Sequence, residues 1–175
     1  DPFGESLLAN LKEEGISVEM IEQTDTATGI ATILLHDGDN RIIVVPGANS
    51  RLSPQQIDTH WETIKSSSLV VLQLEIPTDT IDYTLRKCHE SGIPVLLNPA
   101  PAGNFKKEWI TYATYLTPNE TECESIFGPD YKQSLASFPN QLIITLGSKG
   151  ACYHDGETIV QVNGYKTEAV DTTGA

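Results

Sequence analysis

The sequence predicts an α/β fold in which a parallel sheet carries helices on its faces. Between residues 69 and 147, short apolar runs of strand length alternate with segments of helical spacing, the signature of strand–helix–strand crossovers. Polar residues and glycines recur just after the strands, where open parallel sheets place their ligands. A length of 175 residues fits one domain and is enough to bury roughly 70% of the unfolded surface.

The elements follow in order. Leu7, Leu8 and Leu11 stand at helical spacing, and Gly15 is a helix stop. Residues 16–21 form a short strand candidate. Residues 28–35 (TGIATILL) and 41–45 (RIIVV) flank a turn with Asp37-Gly38 at its centre, so they predict a hairpin. Two apolar strands of this kind need a cover, either as a sheet edge in the core or as a lid over a site. Ser53-Pro54 opens a helix running to about Lys65, with an N-cap followed by proline at the first helical position. Strands are expected over 69–74, 94–97, 115–117 and 141–146, with helices over 78–91, 107–112 and 120–127. After Gly150 the pattern turns to β again over 151–154 and 158–162, with a last strand at 168–170.

Composition narrows the function. Apolar residues make up 39% and charged residues 20%, as in ordinary globular proteins. With 24 acidic against 11 basic residues the net charge is −13, and no cluster of Lys or Arg offers phosphate contacts to a nucleic acid or an anionic membrane. No apolar run approaches the ~18 residues of a membrane span. Cys88, Cys123 and Cys152 are odd in number and far apart, which predicts small buried hydrophobes in a reducing, cytoplasmic setting. The histidines show no metal-ligand spacing. Neither a GxxxxGK[ST] loop nor a GxGxxG turn is present. The chain starts at Asp1 without Met and stops inside a Gly-rich turn, so both ends are expected to be cut.

The residues following the strands are Glu75, Asn98, Asn119, Gly147 to Gly150, and Asp171. Each has an ordinary structural reading: an exposed strand end, Asn-Pro and Pro-Asn turns, a strand-to-helix turn, a helix N-cap. Recurring at successive strand ends, they favour a polar ligand site. Gly174, in a turn expected at a helix start, would present N–H groups to an anion.

Motifs along the chain carry a resemblance: DPFG at 1–4, TGIA at 28–31, VVPGAN at 44–49, LQLEIP at 72–77, NPAPA at 98–102, LTPNETE at 116–122, TLGSKG at 145–150 and VDTTGA at 170–175. In this order they resemble the ribokinase branch of the PfkB carbohydrate kinase family. The resemblance implies a three-layer α/β/α ribokinase-like domain with a parallel central sheet and a small β lid at about 28–45. Residues 1–175 would be a single, partial kinase domain, with the first strand and the C-terminal portion absent. It implies ATP-dependent phosphorylation of D-ribose at its 5-hydroxyl, with Mg²⁺, activation by a monovalent cation such as K⁺, and a homodimer paired through the lid.

Residue by residue, the resemblance places Glu75 on the sugar and Ala31, Ile33 and Val44 over its apolar side. Asn119 and Glu122 form an N-x-x-E motif that organises Mg²⁺, and Asn119 also meets the nucleotide. Thr145, Leu146, Gly147, Ser148, Lys149 and Gly150 form the nucleotide-binding turn. Asp171 and Thr173 hold the monovalent cation, and Gly174 and Ala175 begin the anion hole. The general base, an aspartate, is expected just beyond Ala175, so this chain alone is expected to be inactive. Two alternatives stay open: a family kinase acting on another sugar or a nucleoside, and a non-catalytic short form that binds a sugar.

Overall fold

The computed structural model describes residues 1–36 and 39–166. Helix α1 (Pro2–Glu13) starts where Asp1 caps it, its carboxylate accepting from the Gly4 N–H at 2.9 Å, with proline in the first turn. None of its residues is buried; Phe3 is 63% and Leu7 54% exposed. The strand expected over 16–21 does not form. Among the described residues no strand pairs with that segment, and Ile16, Met20 and Ile21 stay exposed.

Strands β1 (Ile30–His36) and β2 (Asp39–Val45) form the predicted hairpin as an antiparallel pair of their own, with Ala31 opposite Val44 and Ile33 opposite Ile42. The Asp37-Gly38 turn lies outside the described residues. The single helix expected from residue 54 is two short ones, α2 (Pro54–Thr59) and α3 (Trp61–Lys65). His60 breaks them by leaving helical dihedrals at φ −100, ψ 11. Ser53 and Gln56 cap α2 reciprocally, the Ser53 N–H donating to Gln56 Oε1 at 2.8 Å.

Strands β3 (Val70–Leu72), β4 (Val95–Leu97) and β5 (Tyr115–Leu116) pair in parallel in that order, with helix α4 (Thr78–Glu90) crossing from β3 to β4. Helices α5 (Glu120–Phe127) and α6 (Tyr131–Ser137) lead to β6 (Ile143–Thr145), which joins β5 through parallel bridges Leu116–Leu142 and Asn119–Thr145. Strands β7 (Ala151–His154) and β8 (Ile159–Val162) extend β6 in antiparallel fashion. The helix expected over 107–112 is a 3-10 turn, Lys107–Thr111. Helix α6 was not predicted; its signal is Asp130, whose side chain accepts from the Lys132 and Gln133 N–H groups. The strand expected at 168–170 and the helix start at Asp171 lie outside the described residues. Among the described residues no helix is long and apolar enough to cross a membrane.

The core sits between the sheet and α4, α5 and α6. Leu85, Val95, Leu97, Leu116, Leu135, Leu142 and Ile144 are fully buried, each contributing about 1.5–3 kcal/mol of apolar transfer. All three cysteines are free and buried, as expected. Trp109 is also fully buried, and its indole N–H donates to Asp82 Oδ1 at 3.1 Å. Arg86 Nε donates to Asp82 Oδ2 at 2.9 Å. The Arg86 hydrogen bond, then that from Trp109, holds the Asp82 carboxyl below its ordinary range.

Replacing Asp82 by alanine strips the buried Trp109 N–H of its acceptor, and urea unfolding at neutral pH should show a loss of about 1–3 kcal/mol. Asp82 has a lower pKa folded than unfolded. Its contribution is therefore complete above the ordinary carboxylate range and fades as pH falls through the depressed folded value. The gap between parent and Asp82→Ala should narrow in acid.

Candidate functional site

The carboxyl ends of β3, β4, β5 and β6 point to one edge of the molecule, and the β1–β2 hairpin stands over part of it. Between hairpin and sheet edge lies a cleft of about 720 Å³, with Ala31, Val44, Glu75, Ala100, Asn104 and Glu122 in its wall. Glu75 is exposed between two fixed points. Leu74 before it is only 2% exposed, with its N–H donating to the Ala100 carbonyl at 2.9 Å, and Pro77 after it caps the start of α4. Ala31 and Val44 face each other across the hairpin, so they share a face. Ile33 lies two residues along β1 on that same face, opposite Ile42, but outside the cleft lining.

Asn119 and Glu122 begin α5 as a capping box. Asn119 Oδ1 accepts from the Glu122 N–H at 2.8 Å, and the Asn119 N–H donates to Glu122 Oε2 at 2.9 Å. Glu122 lines the cleft, and its cap bond uses Oε2 alone. One carboxylate oxygen fits a Mg²⁺ that takes its remaining ligands from phosphates and water. Among the described residues no group of three or more His, Cys, Asp and Glu side chains comes together to hold a metal ion. The neighbouring Cys123 thiol is pushed up to about 11 by burial, which keeps it protonated and inert.

Next to this cap lies the turn after β6. Asn119 bridges to Thr145, whose N–H donates to the Pro118 carbonyl at 3.0 Å. Leu146 then leads into a 3-10 turn, Gly147–Lys149, closed by a hydrogen bond from the Leu146 N–H to the Gly150 carbonyl at 2.7 Å. Thr145, Gly147, Ser148 and Lys149 are exposed at the sheet edge. Gly150 has φ +90, and a Cβ there would lie 2.0 Å from the Val162 carbonyl oxygen. Only glycine lets this turn press against the end of β8.

Ala31, Val44, Glu75 and Glu122 thus share one cleft, and Asn119 sits with residues 145–150 on the adjoining stretch of the same edge. Asp171, Thr173, Gly174 and Ala175 lie outside the described residues. The cleft also contains Asn49, Ser50 and Asn104, which the sequence reading did not single out. Their signal was the Gly-Ala-Asn run after β2 and the Gly-Asn pair closing the turn after β4.

The family model described as pfkB family carbohydrate kinase matches residues 1–175. The chain belongs to this family. A ribokinase from Lactococcus lactis is 46% identical over 177 residues, aligned to all of this chain and 59% of its own length. Among solved structures, a ribokinase from Thermotoga maritima superposes with a TM-score of 0.81 at 33% identity, covering 98% of this chain and 59% of that one. The Arabidopsis thaliana ribokinase complexed with ribose and ATP gives a TM-score of 0.69 at 30% identity, over 86% of this chain and 53% of that one. These likenesses bear out the ribokinase-like α/β fold expected of a pfkB family member. The chain spans about 60% of the length of the curated relatives it matches.

Gly150→Ala forces a strained positive φ and a backbone clash, and should destabilise the chain by about 1–3 kcal/mol. Urea unfolding checks this, with Gly103→Ala, which meets nothing within 4 Å, as the neutral control.

Proposed function

We propose that the full-length protein containing this chain phosphorylates D-ribose at its 5-hydroxyl with ATP as the phosphoryl donor. The cleft carries this reading: a carboxylate, Glu75, on its floor, an apolar hairpin, Ala31 and Val44, above it, and a second carboxylate, Glu122, at its side. A sugar matches that division, because its hydroxyls need strong acceptors while its ring carbons pack on apolar side chains. Glu75 accepts from the sugar hydroxyls, and the hairpin, with Ile33 extending its inner face, excludes water from the reacting group. Asn119 and the turn from Thr145 through Gly150 hold the nucleotide along the adjoining edge, with backbone N–H groups and Lys149 toward its phosphates.

Glu122 and Asn119 would hold Mg²⁺, which when bound neutralises charge on the transferring phosphoryl group. Asp171 and Thr173 are assigned to a monovalent cation, K⁺ in the first instance, and the Gly174 and Ala175 N–H groups to the anion hole. The hairpin also leaves Ile43, which lies outside the cleft wall, more than half exposed, which supports pairing of two copies through their lids. Three free, buried cysteines support a reducing, cytoplasmic compartment.

The test is ATP turnover by the full-length protein with D-ribose and Mg²⁺, with and without K⁺. Turnover is expected, and Glu75→Gln should lower kcat/KM for ribose by about 10–100-fold, the worth of a hydrogen bond to a charged group. Glu122→Gln keeps a capping side chain at that position, so stability should hold while the Mg²⁺ needed for half-maximal rate rises by about tenfold. Failure with ribose overturns the substrate assignment; turnover of another sugar or a nucleoside would then keep the kinase and change its acceptor.

A further inference from the structure

The hairpin that covers the cleft contributes no buried side chain among its described residues, and its strands enter the body at one root. That root has three supports. The first is backbone against backbone. The Ala48 N–H donates to the Ala27 carbonyl at 2.9 Å, a Cβ on Gly47 would lie 2.4 Å from the same oxygen, and a Cβ on Gly29 would lie 2.7 Å from the Pro46 oxygen. The second is Arg51, whose Nε donates to Thr26 Oγ1 at 2.9 Å. The third comes from the other side, from Asp1. Its Oδ2 accepts from the Thr28 N–H at 2.8 Å, and its Oδ1 accepts from Thr28 Oγ1 at 2.9 Å. Gly4 makes that approach possible, because a Cβ there would lie 2.9 Å from Thr28 Oγ1. Thr28 and Gly29 form part of the cleft wall, and Asp1 does not.

We infer that Asp1 is a positioning residue for the sugar site, its carboxylate pinning Thr28 so that the hairpin stays at the angle that covers a bound sugar. This rests on the ribose kinase reading. The helix-capping bond from Gly4 uses one oxygen, and the two Thr28 bonds use both. A carboxylate is needed because all three partners donate. Without the pin the hairpin samples positions that do not cover the cleft, and sugar affinity falls by the fraction of time the covering position is lost.

The Asp1→Asn variant of the full-length protein separates cap from pin. Asparagine caps a helix as well as aspartate does, but it has one acceptor oxygen and turns an NH₂ toward one of the Thr28 donors. Two readouts apply. Amide hydrogen exchange should quicken by about tenfold over residues 28–30 while α1 amides and the melting midpoint stay at parent values. The KM for ribose should rise by about tenfold with the KM for ATP unchanged. Thr28→Ser keeps both donors to Asp1, so exchange over residues 28–30 should stay at the parent rate. Unchanged exchange over 28–30 overturns the pin. Faster exchange with an unchanged ribose KM leaves Asp1 a structural residue and overturns its positioning role. If the parent does not turn over ribose, the ribose reading falls on its own, and exchange alone then decides whether Asp1 pins the hairpin.

Discussion

Leu97, Leu116 and Ile144 lie at or next to the carboxyl ends of three neighbouring strands, and all three are withdrawn from water completely. Burying them fixes the register of β4, β5 and β6, since a shift by one residue would exchange core side chains for outward ones. Register in turn decides which residue leaves each strand first. Asn98 N–H donates to the Leu72 carbonyl at 2.8 Å and Thr117 N–H to the Leu97 carbonyl at 3.0 Å. The ladder thus runs to the last apolar residue and hands over directly to the polar ones. The site is a consequence of where the core stops.

Burial is distributed unevenly along the described residues. No described residue before Leu74 is buried, whereas the buried core residues among those described all fall between Leu74 and Cys152, with Trp61, Ile64, Val70 and Leu72 packed against them half-buried. The segment that supplies the buried core carries Glu75, Asn119, Glu122 and the 145–150 turn. The half that carries Ala31 and Val44 is held by hydrogen bonds and glycine contacts at its root.

Much of this was legible in the sequence. The alternation over 69–147 gave the parallel sheet because each run was either apolar at strand length or periodic at helix length, and the strand ends pointed to Glu75, Asn119 and Gly147 to Gly150. The misses have local causes. Residues 16–21 have strand composition but no neighbour to pair with, and pairing is a tertiary fact. The break at His60 leaves no glycine or proline as a marker. Helix α6 is short and its apolar content slight, so the Asp130 cap was its only strong sign. The link from Asp1 to Thr28 spans 27 residues, and no local pattern announces such a contact. Composition and spacing reached the strand-end residues; the assignment of Ala31 and Val44 to a lid over a sugar needed the family resemblance.

The Asn119–Glu122 pair shows how structural and chemical roles can be compatible in one motif. A helix start leaves N–H groups without partners, and this capping box satisfies two of them with one oxygen from each side chain. Both side chains are thereby locked in single orientations at the positive end of α5, where negative charge is favoured. A carboxylate fixed in this way loses little freedom when it meets a cation, so part of the ordering cost of binding is met during folding. The same bond leaves Glu122 one oxygen outside the cap, which in the proposed Mg²⁺ role would suit a cation that keeps most of its shell from phosphate and water. The N-x-x-E spacing is therefore explained twice by the same three-residue geometry: it closes a helix, and it aims a carboxylate at the cleft.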